Sequence, residues 1–132
     1  PIELKPALSW HTTVIQVKGL PRGTTVGYGR TYKAKNQIQI AVLPVGYADG
    51  YDRRLSNTGK VLIKNKYCKI VGRICMNMCM VDVTGIGAEA GDAATLIGQQ
   101  GNKKINADDM AKWCKTINYE VVSRINPLLP RL

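Results

Sequence analysis

The residues best suited to chemistry lie between Gly46 and Arg54, where Gly-Tyr-Ala-Asp-Gly-Tyr-Asp-Arg-Arg packs two tyrosines, two aspartates and two arginines into nine positions. Tyrosine hydroxyls donate and accept hydrogen bonds and can move a proton, while arginine forks hold carboxylates and phosphates. Such a loop points either to ligand binding or to a loop locked by Asp49 pairing with an arginine, and residue type does not choose between them. Asp49 and Asp52 are close enough for a carboxylate pair, although capping and loop fixing are the commoner uses of aspartate there. A second segment, Gly27-Tyr28-Gly29, sets a phenol between two glycines, which suggests irregular chain presenting the ring. On residue type alone Tyr28 reads as a packed ring. His11 is the only histidine; it lies in a β-like run with no Ser or Cys partner, so no nucleophilic triad is available. Gly27-Tyr-Gly29 is too weak a match for a phosphate loop. Cys68, Cys75, Cys79 and Cys114 lack the two-residue spacing of zinc or redox motifs and read as reduced, buried thiols.

The elements that must hold these residues are mostly short strands. Ser9 to Lys18 is rich in β-branched residues and reads as one strand, closed by Leu20-Pro-Arg-Gly23. Gln37 to Val45 begins in strict alternation and becomes a continuous apolar run, a strand entering the core that ends near Pro44. Lys60–Lys64 and Tyr67–Gly72 flank a tight hairpin turn, and Cys79–Thr84 and Ala93–Gly98 are further strands. Asn106 before Ala-Asp-Asp opens a helix to Lys115 with an N-cap and two acids in its first turn. Thr116 is placed to cap a second short helix reaching Arg124, before Pro127 and Pro130 end regular structure. Short strands at this spacing suggest a compact β-barrel or sandwich.

A chain of 132 residues fits one domain with its own core, without disulfide or metal staples. The net charge of +10 favours anionic partners such as nucleic acid, phosphate, carboxylates or acidic membranes. No apolar run approaches the roughly 20 residues that cross a bilayer, and the first residues do not read as a signal peptide. The start at Pro1 suggests a piece of a longer protein.

Several ordered motifs together resemble one family. Leu43-Pro-Val-Gly-Tyr-Ala-Asp-Gly-Tyr51, then Arg53-Arg-Leu-Ser56, Ile70-Val-Gly-Arg-Ile-Cys-Met76 and Met80-Val-Asp-Val83 are similar to the C-terminal domain of bacterial alanine racemases. Lys5-Pro-Ala-Leu-Ser9, Val26-Gly-Tyr-Gly-Arg-Thr-Tyr32 and Thr116-Ile-Asn-Tyr-Glu120 extend the resemblance over most of the chain. It implies a mainly β, barrel-like domain over residues 1–132, with one or two short C-terminal helices. It also implies that an N-terminal (β/α)8 barrel, absent from this chain, holds pyridoxal phosphate. No counterpart of the barrel's cofactor lysine is present, so the domain alone is expected to be inactive.

Racemisation needs a proton to leave one face of the α-carbon and another to arrive on the opposite face. In the family a lysine serves one face and a tyrosine from the other subunit serves the second; by motif that tyrosine is Tyr28. A tyrosine in water titrates near ~10, so a tyrosine base near neutrality needs positive charge close by. The resemblance further places Tyr47, Arg53, Arg73 and Ile117 along the substrate corridor. It puts the Met76 backbone amide on the substrate carboxylate and Tyr119 on the cofactor phosphate.

One departure is Asn77, where alanine racemases carry aspartate after the methionine; the change removes a negative charge from the corridor. It allows a serine-preferring branch, some of whose members are membrane-linked, but Tyr119 is retained where such relatives use a smaller polar residue. Alanine is therefore the expected substrate, in a cytoplasmic bacterial homodimer supplying D-alanine for the cell wall, with no nucleic-acid partner. The competing reading is a small basic β domain that binds nucleic acid through its charge and exposed tyrosines.

Overall fold

A computed structural model describes residues 1–132. The chain runs β1 (Trp10–Thr13), β2 (Gln16–Leu20), β3 (Thr25–Val26), β4 (Tyr32–Lys33), β5 (Ile38–Leu43), β6 (Lys60–Ile63), β7 (Lys66–Lys69), β8 (Cys79–Asp82), β9 (Ala93–Gln100) and β10 (Lys103–Ile105). Two helices, α1 (Ala107–Cys114) and α2 (Asn118–Ser123), follow, and short 3-10 turns cover Tyr28–Arg30, Tyr47–Asp49 and Arg53–Leu55. The domain is mainly β with two C-terminal helices, as the sequence led us to expect. Its strands form three antiparallel sheets rather than a closed barrel: β1-β9-β6-β7 with β10 on β9, β2-β5-β8, and the ribbon β3-β4. A bridge between Ile70 and Val81 ties the first two sheets together.

The expected single strand from Ser9 to Lys18 is two strands in different sheets. The break falls at Val14 and Ile15, whose successive amides donate to Asp92 O (2.9 Å) and Val42 O (3.0 Å). Val14 turns into the core and Ile15 stays exposed, so the chain changes sheets over two residues. The continuous apolar run of β5 has a different cause. Ala41 and Leu43 point into the main core, while Ile38 and Ile40, on the other face, join Val26, Ala34 and Val71 in a small second core. A strand buried on both faces needs no polar alternation. That second core lies under the β3-β4 ribbon, which carries Tyr28.

The β6-β7 hairpin turns through Lys64 and Asn65, both with positive φ (49° and 62°), the two-residue geometry that suits strand twist. The Asn106 side chain caps α1 by accepting from Asp109 N (2.8 Å), and Asp109 accepts from Asn106 N (2.9 Å). Thr116 does not cap α2; Ile117 occupies that position without a side-chain bond. The reason is that Thr116 N donates to Ala111 O (2.9 Å), so Thr116 still belongs to the last turn of α1. β10 was not foreseen, its lysines giving no apolar alternation.

Tyr51 lies fully buried, its ring edge-on to Trp10 with centroids 5.7 Å apart. Its hydroxyl is buried without a hydrogen-bond partner. His11 holds a strand position and shares a 3.0 Å hydrogen bond with Thr95. All four cysteines are free thiols, three of them buried. No helix is long and apolar enough to cross a membrane.

Candidate functional site

Tyr28 heads a 3-10 turn at the tip of the β3-β4 ribbon and is 72% exposed. Gly27 and Gly29 take φ values of 77° and 70°, conformations that suit glycine. Gly27 is also required by a backbone approach, because a Cβ there would lie 2.9 Å from Arg73 N. The reciprocal contact is as tight: a Cβ on Gly72 would lie 2.7 Å from Val26 O. Two chain segments distant in sequence are thereby pressed together, and the Tyr28 turn meets the segment Arg73–Met78.

Between them runs a groove of about 420 Å³ lined by Gly27, Tyr28, Cys75, Met76, Asn77 and Met78. Cys75 N donates to Met78 O (2.9 Å), closing the turn that carries Met76. The Met76 N–H has no acceptor within the chain, while its carbonyl accepts from Ala48 N (3.0 Å). A free amide at a groove is a donor for an incoming anion. The Arg73 side chain lies across Gly29, with Cζ 3.6 Å from where a Cβ would sit. Arg73 forms no ion pair; among the 19 lysines and arginines only Arg54, Lys64 and Arg124 do.

Tyr47 joins this edge through its backbone. Tyr47 N donates to Cys75 O (3.1 Å), and Gly46 comes so close that a Cβ would lie 2.2 Å from the same oxygen. Asp49 does not pair with an arginine: its Oδ2 accepts from Gly46 N (2.9 Å) and caps its own turn. Asp52 locks the loop instead, accepting from Arg54 N (2.8 Å), Arg54 Nη2 (2.7 Å) and Arg124 Nη1 (2.9 Å). Arg54 also pairs with Glu120, which ties the loop to α2. Burial works to raise the Asp52 pKa, but the hydrogen bonds from Arg54 and the charges of Arg54 and Arg124 outweigh it and hold the carboxyl below its ordinary range. The Arg54 hydrogen bond likewise lowers Glu120.

Tyr119 and Ile117 are exposed at the start of α2 and line a second groove of about 520 Å³, with Asp108, Ala111 and Lys112 among its walls. The two grooves share no lining residue. They are linked through Asn126, which donates from N to Asp49 O (2.9 Å) and from Nδ2 to Ala48 O (3.2 Å), anchoring the end of α2 to the Tyr47 turn. Arg53 is exposed, lines neither groove and makes no ion pair. Thus Tyr28 and Met76 share one groove, Arg73 and Tyr47 adjoin it, and Tyr119 with Ile117 stand on the next. Sequence reasoning gave the arginine lock to Asp49 rather than Asp52, and missed Asn57, Arg124 and the groove-lining Met78. For Asn57 a signal existed, since Leu-Ser-Asn before a strand marks a turn where asparagine takes a left-handed conformation.

One edge of this β domain therefore exposes a phenol, a free amide and an unpaired guanidinium together. The chain belongs to the alanine racemase C-terminal domain family, whose profile matches residues 7–132. It is 49% identical over 131 residues to an alanine racemase of Halothermothrix orenii, covering 98% of this chain and 35% of that protein. The fold superimposes on an alanine racemase of Bacillus anthracis with bound L-Ala-P at TM-score 0.91 and 40% identity, over 96% of this chain and 32% of that one. A Bartonella henselae alanine racemase with covalently bound pyridoxal phosphate matches at TM-score 0.86 and 28% identity, over 94% and 34%. The chain therefore spans about a third of the length of the relatives it matches.

The donors here suit one wall of a site for that coenzyme and its substrate. The phenol, amide and guanidinium are all hydrogen-bond donors suited to anionic groups, but the Tyr28 groove contains no lysine to anchor an aldehyde covalently.

Proposed function

We propose that this chain is the C-terminal domain of a pyridoxal phosphate-dependent alanine racemase, working against an N-terminal (β/α)8 barrel of the same protein in a cytoplasmic homodimer. Tyr28 is the acid–base group on one face of the substrate α-carbon. The observation that carries this reading is the exposed Tyr28 phenol on a turn fixed by the Gly27–Gly72 contact, sharing its groove with the free Met76 amide. When bound, the coenzyme supplies the electron sink that acidifies the α-C–H bond. The Tyr28 oxygen takes a proton from one face or returns it, according to direction. The barrel's lysine serves the opposite face.

The Met76 N–H holds the substrate carboxylate and fixes which face the α-carbon turns to Tyr28. Arg73 and Arg53, neither held in an ion pair, give the approach uncompensated positive charge that draws in a carboxylate, and Tyr47 lines the entry. Tyr119 offers its hydroxyl to the coenzyme phosphate, and Ile117 narrows the wall beside it. Asn77 leaves the groove without the carboxylate that the family carries there. The full-length protein, supplied with coenzyme, should interconvert L- and D-alanine faster than L- and D-serine. Faster turnover of serine would move the chain to the serine-preferring branch. Coenzyme binding without racemisation of either would reject the reading.

A further inference from the structure

The Tyr28 turn is poorly held by its own bonds. Inside it, only Arg30 N donates to Gly27 O, at 3.4 Å. Three of its residues, Gly27, Gly29 and Arg30, have φ between 52° and 77°, and Arg30 is not a glycine. The glycines take these angles freely, but the left-handed conformation of Arg30 is strained and persists only where surrounding groups hold it. One side-chain hydrogen bond reaches residues 27–31 from elsewhere: Asn57 Nδ2 donates to Thr31 Oγ1 at 3.0 Å.

The same asparagine grips the opposite wall. Asn57 Oδ1 accepts from Gly72 N at 2.7 Å, and Asn57 N donates to Gly72 O at 3.2 Å. Because Gly72 N can only donate, the amide orientation is fixed and the Nδ2 group must face Thr31. Asn57 itself has φ 57°, a left-handed conformation that asparagine tolerates better than most residues. Gly72 precedes Arg73, whose guanidinium crosses Gly29. Asn57 thus connects the residue after the Tyr28 turn to the residue before Arg73.

We propose that Asn57 and Thr31 form a clip that sets Tyr28 relative to Arg73 and the Met76 turn, making both of them positioning residues for proton transfer by Tyr28. The inference rests on the reading of Tyr28 given above. Neither residue lines the groove; they act through the segments that their bond joins.

The test uses the full-length protein with pyridoxal phosphate, assayed in both directions with alanine unlabelled and deuterated at Cα. Thr31→Val removes the acceptor hydroxyl at an exposed position and keeps the side-chain shape. It should lower kcat about five- to thirtyfold with KM changed less than about threefold, since small misplacements of a reacting group cost tens- to a hundredfold. The deuterium effect should rise in the direction in which Tyr28 removes the proton, and not in reverse. Thr31→Ser, which keeps the acceptor, should stay within about twofold of wild type. Adding Thr31→Val to Asn57→Ala should cost nothing further, as expected for two ends of one bond. The clip is overturned if Thr31→Val stays within twofold, if Thr31→Ser is equally impaired, or if isotope effects are unchanged in both directions. Tyr28→Phe, run alongside, separates the failures: an active Tyr28→Phe enzyme defeats the Tyr28 reading itself. An inactive one beside an unaffected Thr31→Val defeats only the clip.

Discussion

Gly46→Ala should unseat the turn that carries Tyr47. A Cβ at position 46 would lie 2.2 Å from Cys75 O and 2.4 Å from Met76 O, backbone atoms that cannot rotate away. Restoring ordinary contact requires the two segments to part by about 1 Å, which stretches both bonds that join them. Those are Tyr47 N to Cys75 O (3.1 Å) and Ala48 N to Met76 O (3.0 Å). Two such bonds contribute about 1 kcal/mol each. Forcing an extra methyl into a closed contact costs about 1–3 kcal/mol more. The expected destabilisation is therefore about 3–5 kcal/mol. Unfolding entropy of roughly 2 cal/mol/K per residue over 132 residues converts this to a fall in Tm of about 10–18 °C. Thermal and urea unfolding followed by circular dichroism would read it directly. Gly19→Ala is the control, because a Cβ there meets nothing within 4 Å; it should change stability by less than about 0.5 kcal/mol. A Gly46→Ala protein within about 1 kcal/mol of wild type would refute the claim that this contact builds the edge.

Three further outcomes follow from buried and paired groups. Tyr51→Phe should stabilise the domain by about 1 kcal/mol, because it deletes a buried hydroxyl without a partner; a lowered Tm would show that the hydroxyl is satisfied in solution. Burial raises the Cys68 and Cys114 thiols to about 11 each and Cys79 higher still. A thiol reagent at pH 8 should thus label one cysteine quickly, the partly exposed Cys75, and the other three only on unfolding; two or more fast-reacting thiols would contradict this. The depressed Asp52 pKa means that its pairing stabilises the fold fully above the ordinary carboxylate range and is lost as pH falls through the lower folded value. Asp52→Asn should therefore weaken the domain near pH 7 by roughly 1 kcal/mol, with the deficit vanishing towards pH 2. An equal deficit at both pH values in urea titrations would tell against the ion pairs as its source.

What could be read from the sequence is what is encoded locally. The Asn106 cap with Asp109 three residues on announces α1, and Lys64-Asn65 between two β runs announces the hairpin. The apolar run of β5 marked a core strand, although only the structure shows that its two faces serve two cores. Features that depend on distant partners were not legible. Nothing near Val14 signals that the chain will change sheets, because the cause is Asp92 O on one side and Val42 O on the other. In the tyrosine- and arginine-rich loop, Asp49 and Asp52 look equivalent as letters. Geometry makes one a turn cap and the other the anchor of Arg54 and Arg124. Tyr47 and Tyr51 look equally available, yet Tyr51 is core. The resemblance of motifs singled out Tyr28 where residue type alone did not. Its groove arises from a Gly27–Gly72 contact that no local pattern encodes.

The central claim is that Tyr28 moves a proton, and replacing one oxygen tests it. In the full-length protein carrying this domain, Tyr28→Phe keeps the ring and removes the hydroxyl. With coenzyme bound to the same extent as in wild type, kcat/KM for converting L-alanine to D-alanine should fall by about 10²–10⁴. A Tyr28→Phe enzyme that racemises alanine within about fivefold of wild type would contradict the account, because no group of this chain would then be needed on that face.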